Sequence, residues 1–482
     1  MLRQFFDVQK IQSEIMYGCG QTVAWPRGCV TETLFESSGS FTAGAPALAN
    51  LATIQVLYRR STGRINLCPM SSPPLLPKPE STSFNWALAI PIGAILVSHY
   101  FVDIYSSLIP PLVGVVQNEF SMTPELAAIL IGIGSLCSGL AQPVFAWVSD
   151  RLNTRWCGSI GLVLAALGIT LIGFSPNLPS LFAIYAIGML GVGMFHPIAA
   201  STIGKLAGDR RGMAISWFFV FGMAGFFTGS LTGPPLATGV SLQALSYLIL
   251  PGLVMAVVLQ LSIGKIEHKD PKAECKSVSM RDYDWISIGC LFLSSVFRYF
   301  VYTAIVYLLV RWMEQYVGGL NPEWSAEKIA DASAPLAGRA NAVMILGQGI
   351  GGLVAGALIV TGHEKWPLVL TPVLCGLSFI AIANLEPGVA GYTACFFAGI
   401  AAQSMTPVAI SLAQRLMPYH TSLASGMILG GAWALACTGP RIAEWIIKNY
   451  SLEAALMFCF ALSIASGLSA SGIRKKSLLA ET

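Results

Sequence analysis

Charge is what this sequence has least of. Asp, Glu, Lys and Arg make up 11% of its 482 residues, against about 25% in ordinary soluble domains. A water-soluble chain of this length would have too little polar surface to cover itself. Its 11 cysteines include no Cys-x-x-Cys pair and no Cys/His spacing suited to zinc or to a redox pair, which argues against both. Cys137, Cys290 and Cys375 stand singly inside apolar runs and read as small buried hydrophobes. Nucleophile elbows, phosphate loops and metal constellations are absent from the motif pattern, so the chain does not read as an enzyme. The net charge of +4 is small and loop-borne. It argues for topology rather than nucleic-acid binding.

What is present is apolar length. The hydrophobic set reaches 54% and the mean hydropathy +0.67. Runs of about 20 residues, enough to cross a hydrocarbon core of about 30 Å as helices, recur from Trp86 onward. We read spans at 86–114, 124–148, 157–174, 179–203, 212–238 and 243–264, and again at 285–311, 338–360, 366–384, 388–413, 422–442 and 452–473. The expected architecture is all-α and integral to the membrane, with twelve transmembrane helices in two pseudo-symmetric six-helix bundles. Residues 85–264 form the first bundle, 265–284 a cytoplasmic linker, 285–476 the second bundle and 477–482 a tail. Residues 1–84 mix Arg, Gly, Ser, Pro and acidic side chains without a signal-type apolar core, which predicts a disordered cytoplasmic extension. Met70, just before the Pro-rich SSPPLLPKPESTS stretch, is a candidate start of the native protein.

Basic residues sort to one side of these spans, among them Arg151, Arg155, Lys205, Arg210, Lys265, Lys365, Arg415 and Arg474. The positive-inside rule makes that side cytoplasmic and places both termini there. Loops on the other side, Ser175–Pro179 and Asn384–Gly388, carry no Lys or Arg, whereas the 312–337 loop is mixed and Arg441 and Lys448 are exceptions. The halves also repeat. A shift of about 210 residues lays Phe195-His196-Pro197 on Met405-Thr406-Pro407 and Lys205 on Arg415, and one near 199 lays His99–Asp103 on Arg298–Tyr302. Duplication of this kind accompanies two bundles that rock about a site at the membrane midplane.

Few ionisable residues fall inside spans. His99 and Asp103 stand at i and i+4 and so share one helix face. A charge there costs about 2.5–3.5 kcal/mol on insertion scales, which some function or partner must offset. We expect Asp103 to be the proton-coupling group with His99 tuning it; the alternative is a fixed interhelical pair. Arg298 holds the matching position in the seventh span and must find an anion, either Asp103 or an anionic substrate. Competition between the two would couple two fluxes; a static bridge or a snorkelling arginine is the alternative. His196-Pro197 places an imidazole beside a helix-breaking residue. Tyr302, Trp217, Gln348, Gln403, Thr406 and Trp433 complete the candidate substrate cavity. Gly225, Gly229 and Gly233 precede Pro234 at four-residue spacing, a stripe suited to close helix packing. Asp150, Arg151 and Arg155 concentrate charge between the second and third spans and read as a conformational latch rather than a substrate site.

AWVSDRLNTR, Ala146 to Arg155, resembles the loop signature of the major facilitator superfamily, with Ala146 and Asn153 in place of its two glycines. Gly229-x-x-x-Gly233-Pro234 resembles the fifth-span motif of antiporters in that superfamily. More narrowly, SHYFVD, GVGMFHP, RYFVY and LASGMILG are similar to the fosmidomycin resistance group, over roughly residues 90–475. Ile198 stands where that group's pattern has an acidic residue after His-Pro. The resemblance implies the major facilitator fold and an inner-membrane exporter driven by proton antiport, with Ser98, His99 and Asp103 matching the group's first-helix polar cluster. Its expected partners are a small-molecule substrate such as fosmidomycin, protons and the lipid bilayer, with no nucleic acid. Its expected oligomeric state is monomeric, and it needs no metal or cofactor beyond a proton gradient. The competing expectations are a metabolite uptake symporter and a membrane sensor that does not transport.

Overall fold

The computed structural model describes residues 86–149, 156–207, 211–263, 283–358, 363–417 and 421–475, which form helices joined by short turns. The first set comprises α1 (Trp86–Leu108, continued by the short helix Val113–Glu119), α2 (Pro124–Ser149), α3 (Cys157–Thr170), α4 (Leu178–Ala207), α5 (Arg211–Gly239) and α6 (Ile249–Ile263). The second set comprises α7 (Trp285–Leu320), α8 (Ala326–Leu358), α9 (Lys365–Asn384), α10 (Val389–Gln403, continued by Met405–Leu416), α11 and α12 (Leu452–Ser471). α11 begins as Thr421–Gly426, passes a π turn at Met427–Gly431 and ends as Gly439–Asn449. Among the described residues, ten segments are long and apolar enough to cross a membrane, and α3 is a shorter apolar helix. α8 holds the eighth expected position but carries Glu327, Lys328, Asp331 and Arg339. The expected linker 265–284, apart from Tyr283 and Asp284, and the extension 1–84 lie outside the described residues.

Packing in the second set repeats that in the first. α1 packs on α5, α2 on α4 and α3 on α6, while α7 packs on α11, α8 on α10 and α9 on α12. α5 against α8 and α2 against α11 join the two sets. Close approach is made possible where Cβ atoms are missing. A Cβ on Gly225 or Gly229 would collide with the α1 backbone at Tyr100 or Ile104, and one on Gly139 would lie 2.6 Å from the α11 amide of Ala434.

Two sequence expectations need correction at the end of the molecule opposite the basic loops. The stretch 312–337, read as a loop, is almost wholly helix: α7 runs on to Leu320 and α8 starts at Ala326, capped by the Ser325 hydroxyl accepting from the Lys328 amide at 3.3 Å. At 36 residues, α7 spans about 54 Å and projects well beyond an apolar core of about 30 Å. Its polar outer turns break the hydropathy run without breaking the helix, because Gln117 after α1, Glu444 on α11 and Glu453 on α12 supply partners for them. Likewise α11 continues past the expected residue 442 to Asn449, so Arg441 and Lys448 are helical rather than loop charges. Pro197 does not interrupt α4, which remains helical across it.

Candidate functional site

The charged groups buried in the first set meet at one point. Asp103 and His99 face α5 and α4 from α1 and are almost completely buried. The i,i+4 spacing brings His99 Nε2 to 3.1 Å from Asp103 Oδ2. From α4, His196 Nε2 comes to 3.3 Å from the other carboxylate oxygen, Oδ1, which has no hydrogen bond of good geometry. The His196 side chain is 25% exposed, so the triad is sealed on two sides and open at the third.

Backbone carbonyls fix how both rings present themselves. His99 Nδ1 lies 2.7 Å from the Phe218 carbonyl on α5, and His196 Nδ1 lies 2.8 Å from the Val192 carbonyl on its own helix. A carbonyl only accepts, so each Nδ1 must carry the proton that is donated. In a neutral imidazole the remaining nitrogen, Nε2, is then a lone pair. Both lone pairs would point at a carboxylate. Three acceptors turned toward one another cannot be satisfied without a shared proton or another cation. The donor atoms lie within 4.8 Å of one another, close enough to share a proton or to hold a metal ion.

Aromatic and glycine neighbours lock this geometry. Phe218 stacks on the His99 ring at 3.7 Å between centroids, with Phe195 behind it at 5.9 Å. A Cβ on Gly222 would lie 2.5 Å from His99 Cε1 and 2.6 Å from Asp103 Oδ2. Gly222 is therefore part of the site: only a residue without a side chain lets α5 pass behind the triad.

The second set contributes a different cluster. Arg298 does not pair with Asp103. Its Nη1 donates to the Thr406 hydroxyl and, at 3.4 Å, to the Ala402 carbonyl, and its guanidinium lies 4.5 Å from the Tyr299 ring centre. Trp433 packs on Tyr299 and Tyr302 with centroids 5.1 and 5.4 Å apart. The Tyr302 hydroxyl meets Gln348. Trp217 is half-exposed and contacts Phe221 instead; its neighbour Phe218 is the one that touches His99. The Gln403 side chain, Asp150, Arg151 and Arg155 lie outside the described residues. Sequence reasoning missed Phe218, Phe195 and Gly222. Gly222 was within reach as the first glycine of the stripe, three residues before Gly225.

The fold and the polar centre define a multi-pass helical membrane protein with ionisable groups buried between its helices. Comparison with known proteins narrows this. The family model described as Major Facilitator Superfamily matches residues 93–321. The fosmidomycin resistance protein of Escherichia coli K12 is 23% identical over 379 residues, covering 77% of this chain and 90% of that protein. The oxalate:formate antiporter of Oxalobacter formigenes is 26% identical over 149 residues, 30% of this chain and 35% of that one. Among solved structures, an inward-facing, unoccupied bacterial homologue of the human lysosomal transporter Spinster superposes with a TM-score of 0.59 at 17% identity, covering 82% and 94% of the two chains. A peptide transporter, POT, gives 0.61 at 15% identity, covering 79% and 93%. Over residues 93–321 the chain matches the major facilitator superfamily model, and it shares the fold of these solved transporters along most of its length. Over most of its length the chain resembles the fosmidomycin resistance protein.

Proposed function

We propose that this protein is a transporter of the major facilitator superfamily, a proton-coupled antiporter that exports a small drug-like or anionic compound, such as fosmidomycin, across the inner membrane by alternating access. The observation that carries the reading is the convergence of two Nε2 lone pairs on the Asp103 carboxylate. Such a cluster must take up positive charge to be stable away from water, and a proton arriving through the open side at His196 supplies it. Asp103 carries the coupling proton, and His99 and His196 share it and hold the carboxylate in place. Tyr302, Gln348, Thr406, Trp433 and Arg298, with His196, form the substrate cavity. Both termini are cytoplasmic, so protons enter from the far side and the basic loops face the compound to be exported. The E. coli relative's name supports drug export, and the Oxalobacter relative's name supports exchange.

The test is proton flux in inverted membrane vesicles carrying an internal pH dye, with fosmidomycin and a panel of anionic drugs added outside. Substrate should alkalinise acid-loaded vesicles that contain the wild type and leave those with Asp103→Asn unchanged, the variant being inserted normally. Equal alkalinisation in both would remove the coupling assignment. No response to any compound from correctly folded wild type would remove proton-coupled export.

A further inference from the structure

The triad of Asp103, His99 and His196 has a deficit that a single proton does not remove. At any moment a proton bridges one Nε2 to one carboxylate oxygen, His99 to Oδ2 at 3.1 Å or His196 to Oδ1 at 3.3 Å, and leaves the other lone pair facing an acceptor. Asp103 is 1% exposed, and its Oδ1 has no hydrogen-bond partner. Buried oxygens of that kind call for an ion or a water. A divalent cation takes all three electron-pair donors at once.

Donor chemistry selects the ion. Two imidazole nitrogens and one carboxylate oxygen suit zinc and its neighbours, whereas calcium and magnesium take sets of about six to eight oxygens. In a tetrahedral zinc site, bonds of about 2.0–2.2 Å place the donor atoms about 3.3 Å apart. Both nitrogen-to-oxygen contacts are at that spacing, and one donor atom from each residue lies within 4.8 Å of the others. The rings are also turned correctly. Each Nδ1 is tied to a backbone carbonyl, at 2.7 Å for His99 and 2.8 Å for His196, the arrangement that fixes the tautomer of metal-bound histidines and leaves Nε2 for the metal. The partial exposure of the His196 side chain, 25%, provides an entry and a fourth position for water or an anion. No spacing in the sequence shows this set, because α1 supplies two ligands and α4 the third.

We propose that Asp103, His99 and His196 form a binding site for a zinc-class divalent ion, three protein ligands with the fourth position open beside His196. The site rests on its geometry alone. Its consequence for transport rests on the proton-coupling reading: zinc occupies the lone pairs that the coupling proton needs and pins α1 to α4, so it inhibits.

The experiment uses the full chain, purified in detergent and stripped of metal with a chelator. Zinc affinity is read by competition with a fluorescent chelator, and coordination by the visible absorption of cobalt(II), which is intense in a four-coordinate site. Wild type should bind a zinc equivalent and give that spectrum. His196→Gln and Asp103→Asn each remove a ligand and should weaken binding by about 100-fold or more, since losing a group that merely orients a ligand costs about 10–100-fold. The cobalt bands should disappear with it, and Asp103→Asn serves if His196→Gln does not fold. In the vesicle assay, zinc should stop substrate-driven proton flux through the wild type. A cobalt spectrum that both variants keep puts the metal elsewhere and overturns the proposal. Wild type that binds no zinc also overturns it, while loss of flux in Asp103→Asn would still support proton coupling. Zinc bound at the triad with flux undiminished upholds the metal site and removes the proton assignment instead.

Discussion

At the scale of single residues, the site depends on one carboxylate held between two imidazoles whose other nitrogens are tied to the backbone. Replacing His196 by Gln keeps a polar group of similar reach but removes a basic nitrogen from Asp103 Oδ1. It should leave folding intact and cut substrate-driven proton flux at least tenfold, measured in the same vesicle assay. Gly222→Ala makes the complementary test, because its new Cβ would press on His99 and Asp103 together. Forcing a methyl into such a contact typically costs about 1–3 kcal/mol. The variant should therefore unfold at a lower temperature than wild type and also lose coupling, whereas Gly239→Ala, with no atom within 4 Å of its Cβ, should change neither. The i,i+4 pairing of His99 and Asp103 was legible in the sequence because the helical period alone puts them on one face. The role of Phe218 was not, because it depends on a carbonyl whose neighbour is set by helix packing.

At the scale of helices, the molecule is closed at the end opposite the basic loops by a polar network between the two sets. Arg311 on α7 donates to Gln117 after α1 at 2.6 Å, to the Tyr307 hydroxyl at 2.7–2.8 Å and to Glu314 at 2.6 Å, while Tyr307 donates to Glu444 on α11 at 2.7 Å. Lys448 meets Glu125 on α2 at 2.5 Å, and Asn118 donates to the Ala326 carbonyl at 3.2 Å. Arg311 and Glu444 are mostly buried, so removing one partner leaves the other charge uncompensated, at a typical cost of about 3–5 kcal/mol. The exposed Lys448 is worth far less. Arg311→Gln should accordingly shift the molecule toward an open far end, seen as a longer spin-label distance between Asn118→Cys and Ser325→Cys, and Lys448→Gln should barely move it. This network is also why the sequence reading of 312–337 as a loop went wrong. Charges that read as solvated punctuation are paired inside the second set, Arg311 with Glu314 and Glu444, and tied to the first by Gln117.

At the scale of the whole molecule, the two helix sets touch through α5–α8 and α2–α11, and every hydrogen bond between them described above lies at or toward the far end. The alternating access proposed above requires that end to part when the other closes. A disulfide between Asn118→Cys and Ser325→Cys should therefore form readily and stop transport, with reduction restoring it. Transport that continues through the crosslinked protein would mean that the far end does not gate. The apolar runs, the repeat of one half in the other and the polar first span were set by the sequence alone, because hydrophobic length and helical period are local properties. Tertiary structure decided the rest. It brought His196 from α4 to Asp103 and carried Arg298 away from it to Thr406. Period fixes the face a side chain occupies, while only the packing of helices around glycine gaps fixes which face it meets.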